Sequence, residues 1–311
     1  MNGVVLKSTG SWYQVRSLES GELYDCRIKG KFRVAGIKST NPIAVGDVVH
    51  FHLEDQQEGQ GVISGIQDRK NYIVRKSVNL SKQVHIIASN MDQALLVTTL
   101  SQPITSTGFM DRFLSTAEAY SIPTIIVFNK IDLYQEEELM ELEYREAVYR
   151  AIGYKVIKTS ATEKIGLEKL KEELKNKTTL LSGHSGVGKS TLVNAVEPNL
   201  DLRTGKVSIS HSKGQHTTTF AEMHPLEMGG DVIDTPGIKG FGMVDMKKEE
   251  ISHFFPEIFT LSEQCRFHNC MHLNEISLRA LSVSRTLLPP WFPPNLPPWF
   301  TRSPSLTFAA A

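Results

Sequence analysis

The densest chemistry in the sequence is the string Gly183-His184-Ser185-Gly186-Val187-Gly188-Lys189-Ser190-Thr191. It fits the phosphate-binding pattern G-x-x-x-x-G-K-[ST]. Its glycines let backbone N–H groups curl around phosphate oxygens, and a following helix N-terminus adds a favourable dipole. Lys189 would reach the β- and γ-phosphates, and Ser190 would bind Mg²⁺. A Gly-rich turn can match such a string by chance. Here an apolar run at Leu180-Leu181 precedes it and a helical pattern at Leu192–Val196 follows, the context that phosphate binding needs.

A phosphate loop does not choose a base, so the base must be read elsewhere. Asn129-Lys130-Ile131-Asp132 follows a run ending at Phe128. The Asp132 carboxylate could accept two hydrogen bonds from guanine N1 and N2, an arrangement adenine leaves unsatisfied. Alone the four residues could also be a polar exit from a strand. Thr159-Ser160-Ala161 after another apolar run would offer the Ser160 and Ala161 backbone to the guanine carbonyl, and it gains weight only beside the other two strings. Asp234-Thr235-Pro236-Gly237 follows Asp231–Ile233. Asp234 is placed to hold Mg²⁺ through water and the Gly237 N–H to meet the γ-phosphate; the bland alternative is an ordinary turn. Gly214-Gln215-His216-Thr217-Thr218-Thr219 lies between the phosphate loop and this turn and suits a switch ordered by γ-phosphate and Mg²⁺. Thr218 is its expected Mg²⁺ ligand, with Thr217 and Thr219 as neighbours of the same chemistry.

Positioning these strings requires a sheet. Ala94–Thr98, Thr124–Phe128, Tyr154–Lys158, Leu180-Leu181 and Val232-Ile233 read as strands. Phe109–Tyr120, Glu136–Ile152, Leu167–Leu174 and Leu192–Val196 carry helical spacing between them. The alternation predicts an α/β fold with a parallel sheet covered on both faces. The acid-rich Glu136–Glu146 reads as a solvated helix face. Before this, Gly3–Leu6, Trp12–Val15, Leu23–Ile28, Val48–Leu53 and Gly61–Ile66 are short runs separated by turn residues, which predicts a five-stranded OB-type β-barrel. After it, Lys247–Glu263 reads as helical and leads into a Cys/His cluster. The last 36 residues, from Ile276, hold no Asp, Glu, Lys or Gly but seven of the 14 prolines and two of the three tryptophans. They read as an unstructured tail, as the product of an altered reading frame, or as a Pro-rich ligand. The expected divisions are 1–72 barrel, 73–243 nucleotide domain, 244–275 helical Cys/His module and 276–311 atypical tail.

The strings form a full GTPase set in permuted order, because N-K-x-D and T-S-A precede the phosphate loop. Such a sheet still closes when the original termini are adjacent in space. On G-H-S-G-V-G-K-S, G-x-H-T-T-T and D-T-P-G-I the chain resembles the circularly permuted small-ribosomal-subunit GTPases, the RsgA (YjeQ) family, from Met1 to about Glu275. The resemblance implies a cytoplasmic factor acting late in small-subunit maturation, with GTP hydrolysis stimulated by that subunit. Ras-type GTPases place a water-orienting Gln after the D-x-x-G glycine, where this chain has Ile238. The resemblance points to His216 as the replacement; packing or RNA contact is the other role open to it.

Arg27, Lys29, Lys31 and Arg33 alternate, so an unbroken strand would place all four on one face. They form either a solvated edge or a nucleic-acid surface, and the resemblance favours ribosomal RNA. Cys265-x₄-Cys270-x-His272 resembles three of the four ligands of the family's Zn²⁺ site. The fourth falls on Leu278, which cannot ligate, so a weakened site is expected. His268, His253 or a water are the other donors considered.

Composition removes several classes. Hydrophobic residues make up 40% and charged residues 22% of 311, which argues against wholesale disorder. Lys+Arg 34 balance Asp+Glu 34, against a uniformly basic binder. Three cysteines cannot form a disulfide framework. Met1–Val15 shows no signal-peptide pattern, and no 18-residue apolar run appears, so no membrane partner is expected. The reading is a monomeric GTP hydrolase that uses GTP and GDP states to control small-subunit binding. Its rivals are a nucleotide-gated rRNA-binding module with negligible hydrolysis and an ATP-using P-loop protein.

Overall fold

A computed structural model of the chain describes residues 1–28, 42–54, 59–76, 84–200, 202, 221–235 and 246–262. The first five strands are β1 (Asn2–Ser8), β2 (Tyr13–Ser17), β3 (Leu23–Ile28), β4 (Val48–Leu53) and β5 (Gln60–Ile66). Their order β1-β2-β3-β5-β4, with β4 pairing back on β1, closes the barrel expected from the sequence. Alternate side chains point inward, so Val5, Tyr13, Val15, Cys26, Val49, Phe51 and Ile63 fill its interior. At Gly61 a Cβ would approach Cys26 Sγ within 2.9 Å, so the packing there requires glycine.

A hairpin that the sequence pattern did not disclose follows, formed by β6 (Tyr72–Lys76) and β7 (Val84–Ser89). The nucleotide domain then alternates: β8 (Gln93–Thr98), α1 (Thr107–Ala119), β9 (Thr124–Phe128), α2 (Glu136–Ile152), β10 (Lys155–Lys158), α3 (Leu167–Leu174), β11 (Thr178–Ser182), α4 (Lys189–Val196), β12 (Glu222–Pro225) and β13 (Asp231–Asp234). Strands β10-β9-β8-β11-β13 are parallel neighbours, and β12 adds an antiparallel strand beside β13. Because both faces are covered, the central strands β8 and β9 are buried at every position. Ala94, Leu96, Ile126 and Phe128 pack with Phe109 and Phe113 on one side, while Leu95, Val97, Ile125 and Val127 pack with Leu170, Leu192 and Val193 on the other.

The acid-rich start of α2 is solvated only in part. Glu138 caps the helix through the Gln135 N–H, whereas Glu141 and Glu146 pair with Arg145, Arg150 and Lys158. The C-terminal stretch is a 3-10 helix over Lys248–Phe254 followed by α5 (Pro256–Ser262).

Barrel and nucleotide domain share one sheet. Strand β12 pairs with β1 at Lys7 and Glu222, and those side chains form an ion pair at 3.0 Å. Beside them the Arg16 guanidinium grips Asp231 with two hydrogen bonds, at 2.8 and 3.0 Å. The barrel therefore rests on the strand pair that leads into the Asp234 turn.

Candidate nucleotide site

The phosphate loop leaves β11 at the carboxyl end of the parallel sheet, where open α/β sheets place their ligands. Two of its glycines are required by space. Gly183 has φ 142°, and a Cβ there would collide with the Val97 carbonyl oxygen. Gly188 caps α4 at φ 91°, and a Cβ there would stand 2.6 Å from Asn129 Nδ2. Between them Val187 is buried, while Ser185 is exposed and His184 and Gly186 half-buried.

Lys189 Nζ donates to the carbonyls of Gly183 and His184, at 2.8 and 3.0 Å. Burial pulls its ammonium below the usual range, opposed by the Asp234 carboxylate. Asp234 is pushed above the usual carboxylate range, again by burial and against the pull of Lys189. Pairing of Leu181 with Asp234 brings that carboxylate beside the phosphate loop, and Thr235 Oγ1 fastens the turn by donating to the Leu181 carbonyl at 2.8 Å. Ser190 and Thr191 lie in the first turn of α4, half-buried and exposed. Ser190 and Asp234 offer the hard oxygen donors that Mg²⁺ takes, so the residues present fit that ion.

The His184 ring lies against Phe109 of α1, centroids 3.9 Å apart and planes at 31°. Burial, then the positive charges of Lys189 and Arg112, lowers its pKa. This contact joins residues far apart in sequence, and no local pattern signals it.

The base-reading strings converge on the same loop. Asn129 is buried; its Nδ2 donates to the Val187 carbonyl at 2.9 Å and its Oδ1 accepts from Thr159 Oγ1 at 3.0 Å. One side chain thus ties N-K-I-D, T-S-A and the phosphate loop together. Lys130 takes φ 62° and reaches the Gln102 carbonyl at 2.7 Å. Ile131 and Asp132 follow in a 3-10 turn, half-buried and exposed. Ser160 is buried, and its N–H is engaged by the Ile165 carbonyl, which leaves the Ala161 N–H as the group available to a base.

Several expected residues lie outside the described residues: His216, Thr218 and Gly237 of the switches, Cys265, Cys270, His272 and Leu278 of the metal cluster, and Lys29, Lys31 and Arg33 of the basic strand. Arg27 is described and exposed. It is not a free cation, since its Nη2 holds both carboxylate oxygens of Glu54, at 2.9 and 2.8 Å. Among the described residues no group of three or more His, Cys, Asp or Glu could hold a metal, and no helix is long and apolar enough to cross a membrane.

The RsgA GTPase family pattern matches residues 66–244, and the RsgA N-terminal domain pattern matches residues 2–63. The chain belongs to the RsgA family. A protein of Flavobacterium psychrophilum named small ribosomal subunit biogenesis GTPase RsgA is 60% identical over 276 residues, which cover 88% of this chain and 84% of that one. Its namesake in Bacteroides fragilis is 56% identical over 275 residues, 88% of each chain. Among solved structures, YjeQ from Thermotoga maritima superposes with a TM-score of 0.72 at 35% identity, covering 91% of this chain and 92% of that one. YloQ, described as a circularly permuted GTPase, gives 0.67 at 31% identity, covering 93% and 90%. As an RsgA GTPase this chain is a hydrolase acting on GTP, and its base-reading strings precede its phosphate loop, a permuted order.

Proposed function

We propose that this RsgA chain binds the small ribosomal subunit late in its maturation and that its nucleotide state governs binding and release. One observation carries the reading. A phosphate loop and an N-K-I-D loop are joined through Asn129 on a chain 60% identical to a named small-subunit biogenesis GTPase. In this reading Asp132 accepts from guanine N1 and N2, and the Ala161 N–H meets the guanine carbonyl. Backbone N–H groups of Gly183 to Gly188 cradle the phosphates. Lys189 turns from the two carbonyls it now holds to the β- and γ-phosphates, whose charge offsets the burial that lowers its pKa.

Ser190, Thr218 and Asp234 would hold Mg²⁺, which neutralises charge on the phosphate oxygens. The Gly237 N–H meets the γ-phosphate, and His216 orients the attacking water. The basic set Arg27, Lys29, Lys31 and Arg33 faces ribosomal RNA, with Arg27 exchanging Glu54 for phosphate. Cys265, Cys270 and His272 would supply three of the four donors that a structural Zn²⁺ site needs. With Leu278 in the fourth position, retention is weakened. The divisions at residues 72, 243 and 275 follow these roles. The protein acts in the cytoplasm as a monomer. Negligible hydrolysis, the rival reading, is not favoured by the family.

Co-sedimentation with purified small subunits tests the proposal. The chain should pellet with subunits in a non-hydrolysable GTP analogue and be released in GDP. Equal pelleting in both states overturns nucleotide-governed binding.

A further inference from the structure

Just beyond the N-K-I-D string, Tyr134 is buried under the loop that the string forms. Its hydroxyl donates to the Asn129 carbonyl at 2.8 Å and accepts from the Leu100 N–H at 2.9 Å. Both partners are backbone, and both bonds are buried. Burial pushes the hydroxyl pKa up to about 12, so the group stays protonated and keeps its donor. The Asn129 carbonyl belongs to the peptide that enters Lys130, whose left-handed φ of 62° a non-glycine residue rarely adopts. That conformation turns the chain so that Asp132 stands exposed at the rim.

The Leu100 side of the bridge is fixed as well. The Thr99 N–H donates to Thr105 Oγ1 at 3.2 Å, Lys130 Nζ holds the Gln102 carbonyl, and Arg145 Nη1 holds the Thr105 carbonyl. Tyr134 is therefore the pin between the loop that reads the base and the segment linking β8 to α1.

We infer that Tyr134 is a positioning residue for base recognition, holding the Asn129–Lys130 peptide in the one orientation that presents Asp132 to guanine. The inference rests on the reading of Asp132 as the guanine-binding carboxylate. Without the hydroxyl, the Asn129 carbonyl and Leu100 N–H would be buried and unpaired. The loop then relaxes to satisfy them with water, and the binding-competent orientation becomes a minor population. The relaxed loop still takes the nucleotide by its phosphates but offers it no Asp132 bond, so GDP, which has two such bonds to lose, weakens by about tenfold and IDP, which has one, by less. Phosphate contacts are untouched, and the loss falls in KM rather than kcat.

Calorimetric titration of GDP and IDP into the full chain tests this, using unaltered protein, Tyr134→Phe and Asp132→Asn, with a thermal melt of each. IDP lacks the exocyclic amino group and so loses one of the two Asp132 hydrogen bonds. Unaltered protein should prefer GDP by about tenfold. Tyr134→Phe should bind GDP about tenfold more weakly and prefer it over IDP by less than about threefold. A lower melting temperature with an unchanged GDP-to-IDP ratio would mean a merely structural tyrosine and overturns the inference. Asp132→Asn separates the two layers. If it abolishes the preference while Tyr134→Phe keeps it, the guanine reading stands and this inference falls. If Asp132→Asn keeps the preference, both fall. Hydrogen exchange at the Leu100 amide of the unaltered protein gives an independent readout that needs no variant. Its protection should rise when GDP binds, and unchanged protection contradicts the pin.

Discussion

Replacing Asn129 by Ala removes the side chain that ties the phosphate loop to both base-reading strings. Asn129 is 1% exposed, so the groups it pairs with lie away from bulk solvent. The Val187 carbonyl loses its donor at 2.9 Å, and Thr159 Oγ1 loses its acceptor at 3.0 Å, although the Phe128 carbonyl remains within 3.4 Å of that hydroxyl. Each buried group left unpaired costs about 1–3 kcal/mol. With Thr159 partly compensated, the sum is about 2–4 kcal/mol. For a folded unit of this size that lowers Tm by roughly 4–16 °C. The same cut unfastens the Gly188 end of the loop, because the carbonyl that Asn129 Nδ2 holds belongs to the peptide that enters Gly188. GDP affinity should fall by at least about tenfold, since the loop must then be ordered by the ligand. Thermal denaturation and GDP titration of the purified variant measure both effects. A Tm within about 2 °C of the unaltered protein, with affinity within about twofold, refutes the Asn129 tie as the organiser of the site.

Other consequences follow from contacts elsewhere. Arg16→Ala leaves the buried Asp231 without its two-pronged partner and should cost about 1–3 kcal/mol. Exchanging the pair, Arg16→Asp with Asp231→Arg, should recover part of that loss in thermal melts, and no loss in the single variant contradicts barrel docking through this contact. Burial pushes the Asp111 carboxyl up to about 6, with Tyr149, Glu257, Arg145 and Arg112 as its charged or hydrogen-bonding neighbours. The folded state thus binds this proton more tightly than the unfolded chain. The stability it confers is complete below about pH 4 and is lost as pH rises through about 6. Asp111→Asn should therefore melt higher than the unaltered protein at pH 7.5 and converge with it near pH 4; a constant difference across that range rejects the burial argument. Zinc content, read by mass spectrometry after chelator treatment, should be well below one per chain and should rise in Leu278→Cys. One chelator-resistant zinc per unaltered chain contradicts the weakened site.

The sequence disclosed the parts of the fold in which local chemistry and long-range packing agree. Strand β9 is buried at every position because both its faces are covered, and its bounds, Thr124–Phe128, are those the sequence pattern marks. The phosphate loop was legible because Gly183 and Gly188 stand where no side chain fits. Strand β12 was not, since Met223 is its only buried residue and it ends in Pro225; it exists through pairing with β13 and with the barrel. The β6–β7 hairpin falls between the two patterns, with its pairing register shifted between Ile73 and Val74. Tyr134 and Phe109 escaped notice for a different reason. Their partners, Leu100 and His184, lie 34 residues before one and far beyond the other, where no periodicity reaches. Likewise the Glu54 that occupies Arg27 lies 27 residues further on, just past the end of β4.

The central claim, a GTP hydrolase governed by the small ribosomal subunit, is tested most directly by multiple-turnover release of phosphate from GTP. Purified chain is assayed alone, with small subunits and with large subunits, at one Mg²⁺ concentration and one ionic strength. Slow turnover alone, raised many-fold by small subunits and left unchanged by large ones, is the result expected. A rate that small subunits do not alter would contradict it.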